Sequence, residues 1–121
     1  MYLKKSLLIL LLFVIFTSIV YVFTKRTEMF ESQPVIKYFY LEGCGWCQKF
    51  TPEWDKFEQA VKDEKVNVVV QKLNAAENQD EVEKENIQGF PHVHLIKDGK
   101  RVDFEMNRTA EDLMEFVKKN L

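Results

Sequence analysis

The chain has 121 residues, 46% of them hydrophobic, and a formal charge of −2, which leaves room for one small domain and not for several. Charge is spread unevenly: all 19 acidic residues lie at or beyond Glu28, against 13 Lys and Arg in that region, so it carries −6. A mildly acidic domain argues against nucleic-acid binding, which is driven largely by neutralising phosphates.

Residues 1–26 are different in kind. "MYLKK" is followed by "SLLILLLFVIFTSIVYVFT" and then "KR". Ser6 to Thr24 are 19 residues without a charge, enough to cross a bilayer core at about 1.5 Å per residue. A buried core helix does not fit, because the remaining domain is too small to surround it. A cleaved secretory signal is the rival, but its apolar region is usually shorter and ends at a small-residue cleavage site, and no Ala-x-Ala pattern follows here. The expectation is an uncleaved signal anchor, a single transmembrane helix with residues 7–23 in the membrane. Lys4, Lys5 and the α-amino group precede the span, and Lys25 and Arg26 follow it. The positive-inside rule then leans toward a cytoplasmic N-terminus and an exported domain, lumenal or periplasmic.

Residues 27–34 are polar, end in Pro34 and are expected to be a tether. From Val35 onward, strand and helix patterns alternate. "VIKYFYL" (35–41) is β-branched and aromatic, a strand signal. From Cys44 the pattern is helical: Phe50, Trp54, Phe57 and Val61 recur at helical spacing on one face. Pro52 falls inside that helix and is expected to kink it, since it removes a backbone donor and crowds the previous turn. "VNVVVQKL" (66–73) is a nearly continuous apolar run, as for a strand covered on both faces. "NQDEVEKENI" (78–87) predicts a short helix. "HVHLIK" (92–97) and "KRVDFEM" (100–106) predict strands joined by an Asp98-Gly99 hairpin turn. "RTAEDLMEFVKKNL" predicts a closing helix with Leu113, Phe116 and Val117 on one face and Lys118 and Lys119 at the dipole's negative end. A helix crossover makes the first two strands parallel, and the hairpin adds an antiparallel pair. The predicted class is α/β: a mixed four-stranded sheet with helices on both faces, over residues 35–121.

The two cysteines, Cys44 and Cys47, lie where the first strand ends and the first helix begins. The first backbone N–H groups of a helix have no partner within it, and the dipole is positive there. Both effects stabilise a thiolate at Cys44. Cys47, one turn inside, reaches the Cys44 sulfur and is expected to be more buried. That pattern is one exposed nucleophile and one resolving thiol. Gly43 and Gly45 leave the adjacent backbone open to a substrate chain. A structural zinc site needs four ligands, and only His92 and His94 could join the cysteines. The two point to the same strand face. His94 is expected to be a core or rim residue, and His92 stays open as a third donor near the cysteine pair. Pro91 opens a strand that otherwise looks central, a position proline tolerates, and a cis bond would account for it.

The ordered set of motifs resembles the thioredoxin family. It comprises strand–"CGWC"–helix, Pro52 five residues after Cys47, "QKLNA", "GFP" before a strand and the "KDGKR" hairpin. The closing "NRTAEDLMEFVKKN" resembles the thioredoxin domains of protein disulfide isomerases more than free bacterial thioredoxins. The resemblance covers residues 35–121 and implies a minimal β-α-β-α-β-β-α version of the fold. It implies that Cys44 attacks a substrate disulfide, that Cys47 resolves the mixed disulfide, and that Pro91 is the family's cis-proline facing them. Gly43, Gly45, Trp46 and Phe90 would then line the substrate surface. Lys72 matches a lysine used near a buried carboxylate, a proton-transfer candidate. That carboxylate is replaced by Tyr38, and the Trp often preceding the first cysteine by Gly43.

The resulting expectation is a membrane-anchored thiol–disulfide oxidoreductase acting on protein disulfides or dithiols and recycled by a separate redox partner. It would need no bound cofactor beyond the Cys44–Cys47 disulfide and no resident metal. Two other functions compete. One is a binding module using the apolar Trp46–Phe90–Pro91 area without turnover. The other is copper or zinc transfer through Cys44 and Cys47, with His92 as a further donor.

Overall fold

The computed structural model describes residues 1–28 and 32–121. The chain divides into two compact units, residues 1–31 and 32–121.

The first unit is a helix, α1, Tyr2–Glu28. Its stretch Tyr2–Lys25 is long and apolar enough to cross a membrane, and Leu7 through Phe16 are exposed on every side of the helix. A helix apolar all round has the composition of a membrane span or of a signal sequence. The helix continues past Arg26 to Glu28, so the expected tether begins later than residue 27. Part of that tether, residues 29–31, lies outside the described residues.

The second unit starts at Ser32. The end of the tether is tied to it: Gln33 Nε2 donates to Asn67 Oδ1 at 2.9 Å, and the Pro34 carbonyl accepts from Val69 N at 2.8 Å. Then follow β1 (Val35–Tyr40), α2 (Gly45–Asp63), β2 (Val69–Asn74), α3 (Gln79–Lys84), β3 (His92–Lys97), β4 (Lys100–Asp103) and α4 (Ala110–Asn120). The four strands make one sheet in the order β2-β1-β3-β4. β1 and β2 are parallel, while β3 is antiparallel to both β1 and β4.

The sheet has one apolar and one polar side. On the first, Ile36, Tyr38, Val93 and Leu95 meet Phe50, Trp54, Phe57 and Val61 of α2 and Leu113, Phe116 and Val117 of α4. The helical spacing of the α2 residues buries all four as expected. On the other side, Lys37 pairs with Glu81 of α3 at 3.0 Å and with Glu85 just beyond it. Phe39 stacks on fully buried His94 with ring centroids 5.7 Å apart.

β2 is the edge strand of the sheet: Val69, Val70 and Leu73 are half-buried and Lys72 is exposed. Val69 and Val70 point to opposite faces and both are partly covered, in keeping with the continuous apolar run. α2 runs unbroken through Pro52 from Gly45 to Asp63. Thr109 caps α4: its hydroxyl accepts from Asp112 N at 3.2 Å. The Asp98-Gly99 turn is as expected, with positive φ at both residues (51° and 72°), the geometry of a two-residue hairpin turn.

Candidate redox site

Cys44 is the N-cap of α2, with extended backbone (φ −76°, ψ 111°). The chain reaches it through Gly43, whose φ of +79° is one that side chains bearing a Cβ rarely adopt. Cys44 Sγ accepts the backbone N–H of Cys47 at 3.2 Å. The first-turn donor that an oxygen usually satisfies is here satisfied by sulfur, so the site favours negative charge on Cys44 when the pair is reduced. Cys44 is half-buried and Cys47 almost fully buried, at 2% exposure. The two form a disulfide, with Cα atoms 5.2 Å apart.

Opposite the pair, the Phe90–Pro91 peptide bond is cis, as expected. The Phe90 carbonyl oxygen lies 4.0 Å from Cys44 Sγ. Gly45 has nothing within 4 Å of where a side chain would start, so the backbone beside Cys44 is open. Trp46 is 66% exposed, with Lys49 Nζ 4.9 Å from its ring centroid. Cys44, Gly45, Trp46, Phe90 and Pro91 thus surround one accessible sulfur.

The position expected to hold a buried acid is filled differently. Tyr38 is fully buried, and its hydroxyl lies 3.2 Å from Thr51 Oγ1 and 3.3 Å from the Cys47 carbonyl oxygen. Thr51 Oγ1 also donates to that carbonyl at 2.9 Å. Burial raises the Tyr38 phenol above its ordinary value, with the Thr51 hydrogen bond opposing, so the group is neutral at physiological pH. Lys72 is paired in register with Tyr38 on the edge strand, but its Nζ lies 3.4 Å from Asp55 Oδ1, at the surface. It shares an open cleft with Cys47, Gln48, Thr51 and Tyr40. Thr51 escaped the sequence reading. Its only signal there is a spacing of four residues from Cys47, one helical turn.

The metal-transfer grouping of Cys44, Cys47 and His92 is not assembled. Register puts His92 opposite Phe39 and His94 opposite Lys37, on the polar side of the sheet away from α2. His92 there contacts His94, Arg101 and Asp103. Burial, then the nearby Arg101, lowers the His92 imidazole below its ordinary range. Burial pushes His94 down to about 4, with Glu85 opposing.

The thioredoxin family model matches residues 20–119. The chain belongs to the thioredoxin family. Over 88 residues, 73% of the chain, this thioredoxin-family protein is 30% identical to protein disulfide-isomerase A4 of Mus musculus, covering 14% of that relative. A putative protein disulfide-isomerase of Schizosaccharomyces pombe is 36% identical over 95 residues, 76% of this chain and 18% of that one. The chain therefore spans less than a fifth of either relative's length. Among solved structures, it is similar to the first thioredoxin domain of mouse protein disulfide-isomerase A4, with a TM-score of 0.66 at 30% identity, covering 73% of this chain and 63% of that one. The first two thioredoxin domains of Saccharomyces cerevisiae Eps1p match with a TM-score of 0.67 at 28% identity, covering 80% of this chain and 38% of that one. A thioredoxin-like domain with its CxxC pair at disulfide distance supports the thiol–disulfide oxidoreductase class.

Proposed function

We propose that this protein is a membrane-anchored thiol–disulfide oxidoreductase that exchanges disulfides with protein substrates through Cys44 and Cys47. The observation that carries the reading is the asymmetry of the pair. One sulfur is a half-exposed helix cap facing the Phe90 carbonyl, and the other is buried one turn behind it.

In the reducing direction, the Cys44 thiolate attacks one sulfur of a substrate disulfide. The substrate S–S bond breaks, a Cys44–substrate bond forms, and one substrate sulfur leaves as thiolate. Cys47, having lost its proton, then attacks Cys44 Sγ. The Cys44–Cys47 bond forms, the second substrate sulfur leaves, and two electrons have moved to the substrate. The reverse sequence oxidises a substrate dithiol. A separate redox partner would recycle the pair.

The residues around the pair have separable tasks. The Cys47 N–H stabilises the Cys44 thiolate. Gly45 and Trp46 offer open backbone and apolar surface, and the segment Phe90–Pro91 offers an edge for an extended substrate chain. The Tyr38 and Thr51 hydroxyls hold the Cys47 carbonyl and so position the resolving thiol. Lys72 borders the cleft leading to Cys47 and is the candidate to exchange its proton with solvent.

Helix α1 supports the anchor, with residues 7–23 in the membrane, and the flanking charges support an exported domain. The test is equilibration of the full-length protein in detergent with reduced and oxidised glutathione, followed by thiol titration. Two thiols per chain should appear and disappear together, reversibly. Titration of one thiol alone, or none, would overturn the proposal.

A further inference from the structure

We propose that His92, His94 and Asp103 bind one divalent transition-metal ion on the side of the sheet away from the cysteines. The sequence reads neither histidine as part of a resident metal site, and the fold brings them together with a third donor.

The β3–β4 register sets His94 directly opposite Asp103, and His92 lies two residues along the same strand face. One ligand atom from each of the three lies within 4.8 Å of the others. His92 Nε2 is 3.1 Å from His94 Nδ1 and 3.7 Å from Asp103 Oδ1. An ion with tetrahedral bonds of about 2.0–2.1 Å needs ligand atoms about 3.3 Å apart, which the His92 contacts of 3.1 and 3.7 Å bracket. Two imidazoles and one carboxylate suit Zn²⁺ or Cu²⁺, whereas Ca²⁺ and Mg²⁺ prefer all-oxygen sets. His94 is fully buried, while the His92 and Asp103 side chains keep 20% and 45% exposure, which leaves an entry path and room for a water ligand.

The contacts among these groups are met either by a doubly protonated His94 or by a metal ion between the rings. Arg101 Nη2 approaches His92 Nε2 at 3.1 Å, which calls for a lone pair on that nitrogen. The His92 Nε2 to His94 Nδ1 contact then needs its proton on His94. His94 Nε2 lies 2.8 Å from Glu85 Oε2, which needs a second proton on the same ring. A neutral imidazole carries one. Buried His94 Nε2 and Glu85 Oε2, although this close, do not meet in hydrogen-bond geometry. An ion accepting lone pairs from His92 Nε2 and His94 Nδ1 is the arrangement that needs no charged imidazole. It leaves the single His94 proton on Nε2, facing Glu85. A carboxylate behind a metal-bound histidine is the usual outer partner of such ligands. Glu85 is itself held by Lys37.

Arg101 occupies the ion's place. Its Nε donates to Asp103 Oδ1 at 2.6 Å, its Nη1 donates to the Glu85 carbonyl, and Nη2 faces His92. One guanidinium therefore bridges two of the three ligands. The arginine and the ion exclude each other, and Arg101 lowers metal affinity. His92 follows Pro91 directly, so the site adjoins the redox loop through the backbone.

The test uses the full-length chain in detergent, kept as the Cys44–Cys47 disulfide so that neither thiol can bind metal. Zn²⁺ is titrated calorimetrically, and Co²⁺ is used to read coordination by visible absorption. The expected result is one Zn²⁺ per chain and the strong visible bands of a four-coordinate Co²⁺ site. Asp103→Asn and His92→Asn should each weaken binding by about tenfold or more. Arg101→Gln should tighten it. These three variants lie at the exposed rim, so the outcome does not depend on whether a His94 variant folds. Absence of saturable one-to-one uptake, unchanged affinity in Asp103→Asn, or weaker binding in Arg101→Gln would each overturn the proposal.

Discussion

The Tyr38 hydroxyl lies 3.2 Å from the Thr51 hydroxyl, and both oxygens reach the Cys47 carbonyl. A neutral pair of hydroxyls therefore stands where a charged group is the family's usual choice, directly behind the buried cysteine. Removing the phenol oxygen leaves the Thr51 bond to the carbonyl intact, so Tyr38→Phe should cost only about 0.5–1.5 kcal/mol at pH 7. The pH dependence is the sharper test. Burial raises the folded-state phenol above 10.0. Its contribution is thus complete below the unfolded value and is lost as pH rises from there through the raised folded value. Denaturation series from pH 8 to 11 should show wild type losing stability more steeply than Tyr38→Phe. Parallel curves would show that the phenol is not held in its neutral form.

Exposure of one sulfur and burial of the other separate the two cysteine variants. Cys47→Ser should accumulate mixed disulfides with substrate proteins, resolved on non-reducing gels. Cys44→Ser should accumulate few. Equal trapping by both would contradict the assigned order of attack.

The cap of α4 distinguishes two polar residues on either side of Arg108. Thr109→Ala should lower stability by about 1 kcal/mol, because an orphan N–H of the first turn loses its acceptor. Asn107 is exposed and contributes only its backbone carbonyl, which accepts from Thr109 N at 2.9 Å. Asn107→Ala should leave the urea midpoint unchanged within error. A larger loss for Asn107→Ala than for Thr109→Ala would reverse the assignment.

Residues 32–121 close a core of their own around Trp54, Phe57 and Leu113, each fully buried. That segment expressed alone under reducing conditions should unfold cooperatively. If it is insoluble or lacks a cooperative transition, α1 contributes to folding.

The proposed topology rests on the charges flanking α1 and is tested in sealed vesicles. With the expected export, the domain resists protease added to the cytoplasmic side and is cut once detergent opens the membrane. Asn107-Arg108-Thr109, exposed at Asn107, would then be available as an N-glycosylation acceptor in a lumenal setting. Digestion from the cytoplasmic side while a lumenal control survives would place the site in the cytoplasm and favour a reductant role.

Much of this architecture is written in short-range pattern. The spacing of Phe50, Trp54, Phe57 and Val61 marks the buried face of α2, because helix geometry puts those positions on one side. Asp98-Gly99 marks its hairpin, because few residues accept positive φ at both central positions. Cys44 at a strand-to-helix junction marks the redox site, since the unpaired N–H groups of a helix start are a local property. What depends on strand order was decided only by the tertiary structure. A continuous valine run is compatible with either a central or an edge strand, and only the β2-β1-β3-β4 order makes β2 the edge. The side of the sheet on which His92 falls depends on the pairing of β3 with β1, and that turned it away from the cysteines. The two-residue turn already implied that His94 faces Asp103. The approach of Lys37, Glu81 and Glu85 from two distant segments could not be read, because contacts between remote parts of the chain arise from packing and not from any local preference.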